Sequence, residues 1–239
     1  MKHIFSMAFK VCLSVLISGL VFTSCLRKKA DYGKTMTKEV KVSSFENIDV
    51  QGNVSIIIHQ SDTFAVKITG LEKLLSRVKV DVKDNTLYVS EDEYRGLEDV
   101  KLIFTNDGVG TKIDVYMPSI SGLKQYGNSD IEMSNMQSDS LMMSIMGNAD
   151  IDVENLKAKY LGFAITGNAS SDFEGLTVEK GVFDITGNAD LDANFKDAGE
   201  VEVSLKGNSS VELTGTTRLA PRTLNNGNSS IKDNTVRTK

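Results

Sequence analysis

From Gly127 onward, apolar and polar residues alternate in short runs, and the runs return at a fixed distance. The dipeptide Gly-Asn occurs at 127, 147, 167, 187, 207 and 227, six times at a spacing of twenty, with no insertion or deletion. With each Gly counted as position zero, offsets four and six hold Ile131 and Met133, Ile151 and Val153, Ser171 and Phe173, Leu191 and Ala193, and Val211 and Leu213. Offsets fourteen, sixteen and eighteen hold Leu141, Met143 and Ile145; Leu161, Phe163 and Ile165; Gly181, Phe183 and Ile185; and Val201, Val203 and Leu205. Successive side chains leave a strand on opposite faces, so alternation of period two predicts strand. A strict internal period predicts units that bury their apolar face only against neighbouring copies. Two strands and two turns per twenty residues make one short coil, and coils stacked about 4.8 Å apart place equal offsets in columns. The pattern therefore predicts an all-β fold, a β-solenoid (β-helix) with twenty-residue coils over 127–239. A meander of hairpins is the competing arrangement, but it does not require every repeat to have the same length.

The repeated dipeptide has a mechanical reading, because Gly and Asn accept positive φ in a tight turn most readily. Gly127, Asn128, Gly147, Asn148, Gly167, Asn168, Gly187, Asn188, Gly207, Asn208, Gly227 and Asn228 are thus the predicted turns. Their asparagines would stack into an amide ladder, the alternative being a row of ligand-binding amides. Phe163, Phe173 and Phe183 fall on the inward phase and read as stacked core.

The outward phase gives two unlike faces. Offsets three, five and seven supply Asp130, Glu132, Asp150, Asp152, Glu154, Asp172, Glu174, Asp190, Asp192 and Glu212, with no Lys or Arg in five repeats. This is a candidate acidic binding face, and it should point to solvent. Like charges one rung apart repel. The face either relies on screening or recruits a hard cation such as Ca²⁺, whose oxygen ligands carboxylates supply; no other cofactor is expected. Offsets fifteen and seventeen give Met142, Gly162 and Val182 beside Ser144, Ala164 and Asp184, a partly apolar face that should be covered, by the N-terminal β region or by another copy of the chain.

Outside the repeat, runs at Asn47 to His59, Thr63 to Thr69, Val78 to Val82, Thr86 to Ser90, Val100 to Phe104 and Lys112 to Met117 read as strands without the twenty-residue period. They form a predicted N-terminal β region, 38–126, capping the solenoid. At the other end Pro221 and Arg222 interrupt the second strand of the fifth repeat, and the charged stretch Lys232 to Lys239 reads as a closing cap.

The first residues decide the compartment. Lys2, His3 and Lys10 flank an apolar run, Val11 to Phe22, too short to span a bilayer, which is the arrangement of a secretory signal over 1–24. Phe22-Thr23-Ser24-Cys25 resembles a lipobox, so Cys25 is the expected lipidation site and 25–37 a tether; an ordinary signal peptide with an incidental cysteine is the alternative. The expected location is the cell envelope, as an outer-membrane lipoprotein facing periplasm or surface. The basic Leu26-Arg27-Lys28-Lys29 favours the periplasm.

Cleavage sharpens the composition. Losing Lys2 and Lys10 leaves 25 basic residues against 32 acidic ones, a net charge near −7, which disfavours nucleic acid as a partner. His59 becomes the one histidine and Cys25 the one cysteine, so neither a disulfide nor a Cys/His zinc site is available. A glycosidase needs two carboxylates with separated roles, whereas here the acids recur at the same offsets. A Ser/His/Asp arrangement would have to use His59. No catalytic residue is assigned and the protein is expected not to be an enzyme. The alternative is a polysaccharide lyase or hydrolase on a β-helix scaffold. The expected partners are the membrane, through the lipid, and a glycan or protein ligand; a homo-oligomer is a further candidate.

Three segments carry a family resemblance: Phe45-Glu-Asn-Ile48-Asp-Val50-Gln-Gly52, Asp84-Asn-Thr-Leu87-Tyr-Val89 and Ile113-Asp-Val-Tyr-Met-Pro118, followed by the Gly-Asn turns. With these the chain resembles the autotransporter adhesin head (GIN) domain family of Bacteroides-type lipoproteins. The family usually has Gly-Ser-Gly at the turns, where this chain has Gly-Asn. The resemblance implies a right-handed, two-sheet β-superhelix without a recognised catalytic constellation, and a role in adhesion.

Overall fold

The alternating runs form strands, and strand pairing follows the twenty-residue period. In the computed structural model, residues 33–92 and 110–238 are described; Cys25, the signal segment and the run Val100 to Phe104 lie outside them. The strands are β1 (Thr35–Val40), β2 (Asn47–Gln60), β3 (Ala65–Leu71), β4 (Val78–Lys83), β5 (Thr86–Glu91), β6 (Thr111–Met117), β7 (Gly122–Ser134), β8 (Gln137–Glu154), β9 (Lys157–Thr217), β10 (Arg222–Gly227), β11 (Ser230–Asp233) and β12 (Val236–Arg237), with one helical turn, α1 (Glu72–Leu75), after β3. They make one sheet in the order β1-β3-β6-β2-β7-β8-β9-β10, with β11 and β12 also on β9, and β4 joined through β5 to β2.

From β7 onward every pairing is parallel, and the partner lies twenty residues away. Gly127 faces Gly147, Gly147 faces Gly167 and Gly207 faces Gly227, with Asn148 facing Asn128 and Asn168. The resemblance implies two sheets; here hydrogen bonding runs unbroken through each Gly-Asn bend and joins the strands into one. The reason is local. Gly127, Gly147, Gly167, Gly187 and Gly207 turn the backbone at φ between 114° and 144° without losing the pairing. A Cβ on Gly167 would lie 2.0 Å from the carbonyl oxygen of Gly147, so both conformation and clearance require glycine there. The asparagines that follow are not among the positive-φ residues, and neither is Gly227. The expectation that Asn shares the unusual backbone is corrected: Gly makes the bend and Asn supplies the side chain.

Inside lie the columns at offsets four, six, fourteen, sixteen and eighteen. Phe163, Phe173, Phe183 and Phe195 are fully buried and meet edge to face, with centroids 4.8 Å apart for Phe163–Phe173 and 6.4 Å for Phe183–Phe195. Each such pair adds about 0.5–1.5 kcal/mol beyond area burial. Further inward columns stand at offset two, with Ser129, Ala149 and Ala189, and at offsets nine and eleven, with Met136, Leu156 and Leu176 and then Ala158, Val178 and Ala198. They flank a second bend at offset eight, where Asn135, Asn155, Gly175 and Gly215 take positive φ.

Three further corrections concern the ends and the second face. β2 is not outside the period. Its Gly52 and Asn53 face Gly127 and Asn128, so β2 is one more rung, supplied from 75 residues upstream. β5 and β6 extend β2 in parallel through its first and second halves, and β3 and β4 close the end antiparallel. Arg222 does not break a strand. It opens β10 immediately after Pro221, facing Glu202, and its guanidinium pairs with Glu200 at 3.0 Å. The face at offsets fifteen and seventeen is not covered by the N-terminal strands. Met142 is 53% exposed, because those strands add edge-on to the sheet and do not lie across it.

Candidate functional site

The acidic face is built by rungs in register: Asp130 faces Asp150, Glu132 faces Asp152 and Asp152 faces Asp172, while Glu154 faces Glu174. Of the ten carboxylates, nine are exposed and Glu212 is half-buried. Two open grooves run along this face. One, of about 620 Å³, is bordered by Glu154, Asp172, Glu174, Asp192 and Glu212; the other, of about 380 Å³, lies beside Glu132 and Asp152. The Asp172 carboxyl is held above its ordinary range, first by desolvation and then by the like charges of Glu174, Asp192 and Asp152. This is the electrostatic consequence of stacking acids in register. At the last rung the situation reverses. Lys232 lies 2.8 Å from Glu212, and its hydrogen bond holds that carboxyl below the ordinary range. Among the described residues no three His, Cys, Asp or Glu side chains converge to hold a metal ion.

Along the neighbouring corner the asparagines form a ladder. Asn208 donates to Asn188 at 3.1 Å, Asn188 to Asn168 at 3.0 Å, Asn168 to Asn148 at 2.9 Å, Asn148 to Asn128 at 2.6 Å and Asn128 to Asn53 at 2.8 Å. Each amide is thus spent on its neighbours, which suits a structural part. Asn53 escaped the periodicity because only its distance, not its motif, departs from the repeat.

Two groupings were not legible in the period. The Lys196 ammonium, at offset nine, reaches across the second bend to the side-chain Oδ1 of Asn155 and brings one cation to the rim of the acidic groove. On the far corner an open groove of about 490 Å³ collects Asp139, Lys157, Lys159, Glu179, Asp197 and Arg218, with Lys159 2.8 Å from Asp139. His59 bonds Asp114 through Nε2 at 3.0 Å and stacks on Tyr116, whose ring also carries Lys67 at 5.0 Å. Ser134 is the register partner of His59 on β7, yet no hydrogen bond joins its hydroxyl to the ring. The histidine is thus engaged by a carboxylate and an aromatic face.

Residues 44–234 match the family described as "Putative auto-transporter adhesin, head GIN domain". The chain belongs to this family. Two solved structures of similar fold are each described as a "putative adhesin". One is a "putative adhesin" from Bacteroides fragilis, with TM-score 0.55 and 22% identity over 84% of this chain and 97% of that one. The other is a "putative adhesin" from Parabacteroides distasonis, with TM-score 0.50 and 16% identity over 84% of this chain and 97% of that one. At these identities the likeness speaks for the fold alone. No curated protein matches the chain. The GIN-domain match begins just before β2 and ends within the last rung, so it covers both the N-terminal strands and the Gly-Asn rungs. Among the described residues no helix is long and apolar enough to cross a membrane.

Proposed function

We propose that this GIN-domain chain is a cell-envelope lipoprotein, cleaved before Cys25 and held to the outer membrane by a lipid on that residue. Its 127–239 segment acts as a β-solenoid of twenty-residue coils, capped by 38–126, and works as a non-catalytic binding or structural module of the adhesion type. The observation that carries the reading is repetition. Chemistry on the exposed face recurs from rung to rung, Asp130, Asp150, Asp190 at one offset and Glu132, Asp152, Asp172, Asp192 at another, as suits a surface engaging an extended ligand at several equivalent places. A hydrolase or lyase would concentrate differentiated acids and bases at one place. Family membership supports the same direction.

The ligand class is a glycan or protein with a cationic component, because a row of carboxylates attracts positive charge over about a Debye length. Arrays of glycans and of matrix and envelope proteins, probed at low and high salt, test this; salt-sensitive capture lost when Asp152 and Asp172 are both changed to Asn is the expected result. Release of products from a polysaccharide, abolished by a single Asp→Asn change, would overturn the non-catalytic reading. Cys25→Ala should move the protein from the membrane to the soluble fraction.

A further inference from the structure

The face opposite in phase to the core at offsets fifteen, seventeen and nineteen gathers five of the eight large apolar side chains exposed among the described residues: Tyr88, Tyr126, Met142, Met146 and Leu224. Pairing registers place them on a flat grid. The middle column reads Tyr88, Asp49, Lys124, Ser144, Ala164, and by the same twenty-residue step Asp184, Ser204 and Leu224. On its flanks stand Met142, Gly162 and Val182, and Tyr126, Met146 and Thr166.

This grid is complementary to itself. A two-fold axis lying in the plane of the face, parallel to the strands and between Ser144 and Ala164, reverses the column order and keeps each flank over its own counterpart. It sets Lys124 over the partner's Asp184, Met142 over the partner's Gly162, Met146 over the partner's Thr166, and Tyr88 over the partner's Leu224. Tyr88 meets an apolar residue, Met142 meets a glycine, Met146 meets a smaller side chain, and the middle-column lysine nearest the axis meets an acid, twice over. Lys124 and Asp184 have no ion-pair partner in their own chain among the described residues. In the single chain Met142 lies across Gly162, occupying the hollow; methionine's flexible stem lets it yield to an incoming side chain. Sheets packed face to face sit about 10 Å apart with nearly aligned strands, the geometry that this axis produces.

We propose that this face is the interface of an isologous homodimer, with a second copy of the chain docked across the axis between Ser144 and Ala164. A closed two-fold contact uses the same patch on both copies and hides it completely, whereas the acidic face stays free on the outside of the pair.

The test is sedimentation of the whole protein, carrying Cys25→Ser so that it stays in water without lipid. The expected result is a dimer. Asp184→Lys should raise its dissociation constant by about tenfold or more, by placing two lysines in opposition; Lys124→Asp combined with Asp184→Lys should restore it, which also shows that the single variant is folded. Asp172→Lys, on the acidic face, should leave association unchanged. A parent protein that is monomeric at every accessible concentration, a dimer indifferent to Asp184→Lys, or a double variant that stays monomeric would each overturn the proposal.

Discussion

The two bends of each rung solve one problem in different ways. At the Gly-Asn bend every rung uses the same pair, from Gly52 through Gly207, each with positive φ and with the next glycine packed on its carbonyl. At the second bend the residues are Asn135, Asn155, Gly175, Phe195 and Gly215, and no single side chain is shared. The first bend brings successive backbones so close that a Cβ has no room at any rung; at the second the room varies, for a Cβ at Gly175 would meet only the side-chain ends of Asn155 and Lys196, whereas one at Gly215 would lie 2.0 Å from the carbonyl oxygen of Phe195. Crowding imposes identity at one corner. At the other, crowding acts at Gly215, which stacks on Phe195, while Asn135, Asn155 and Gly175 share only the backbone angle; where even that is dropped Phe195 turns inward and Lys196 turns out.

Substitutions can break or sharpen this contrast. The largest effect belongs to Gly167→Val: forbidden φ adds to backbone overlap, so the expected loss is about 5 kcal/mol or more, at the extreme of single changes, read as a collapse of the urea midpoint or as failure to accumulate folded protein. Phe195→Ala comes next, at about 3–5 kcal/mol, because it empties the space by which the fourth rung replaces a bend residue with core; an effect near zero in chemical unfolding would show that this phenylalanine does not belong to the core. Gly175→Ala should cost only about 1–2 kcal/mol, the ordinary penalty of a left-handed residue with soft neighbours, and a loss as large as that at Gly167 would erase the distinction between the corners.

The smallest effect lies on the acidic face between the bends. Because the folded state holds the Asp172 carboxyl above its ordinary range, the charged form opposes folding. Stability from this group is therefore gained as pH falls through the raised folded value and is missing at neutral pH. Asp172→Asn should raise the melting temperature slightly at pH 7, and the gain should fade in acid, where the wild-type carboxyl is already neutral. At Glu212 the sign is opposite. Its carboxyl is held down by Lys232, so its contribution is present above the ordinary carboxylate range and is lost as pH falls through the lowered folded value.

How much of this was legible follows from the same contrast. Strand phase, the inward phenylalanines and the ladder of amides could be read from period two and period twenty, since both reflect positions where chemistry must repeat. The second bend could not, because Asn155, Gly175 and Phe195 satisfy it by different means. The N-terminal rung was hidden by chain connectivity: Gly52-Asn53 has the motif, but 75 residues separate it from its partner. That the N-terminal strands leave this face open was not legible, because alternation says which way a side chain points and not what lies beyond it. Lys196 beside the acidic groove depends on the phase slip at Phe195, which no average over repeats reveals.

The asparagine row has a sense of direction. Each Nδ2 points to the preceding rung, so from Asn208 to Asn53 six primary amides lie head to tail. An amide turned round in the middle would set two NH₂ groups against each other on one side and two oxygens on the other, and the row can reverse without faults only as a whole. Such a chain behaves like a line of coupled dipoles, each polarising the next. Its members are therefore not interchangeable under substitution. Loss of Asn168 splits the row into two shorter ones, whereas loss of Asn208 only trims it, and removing two neighbours together should cost less than the sum of removing each alone.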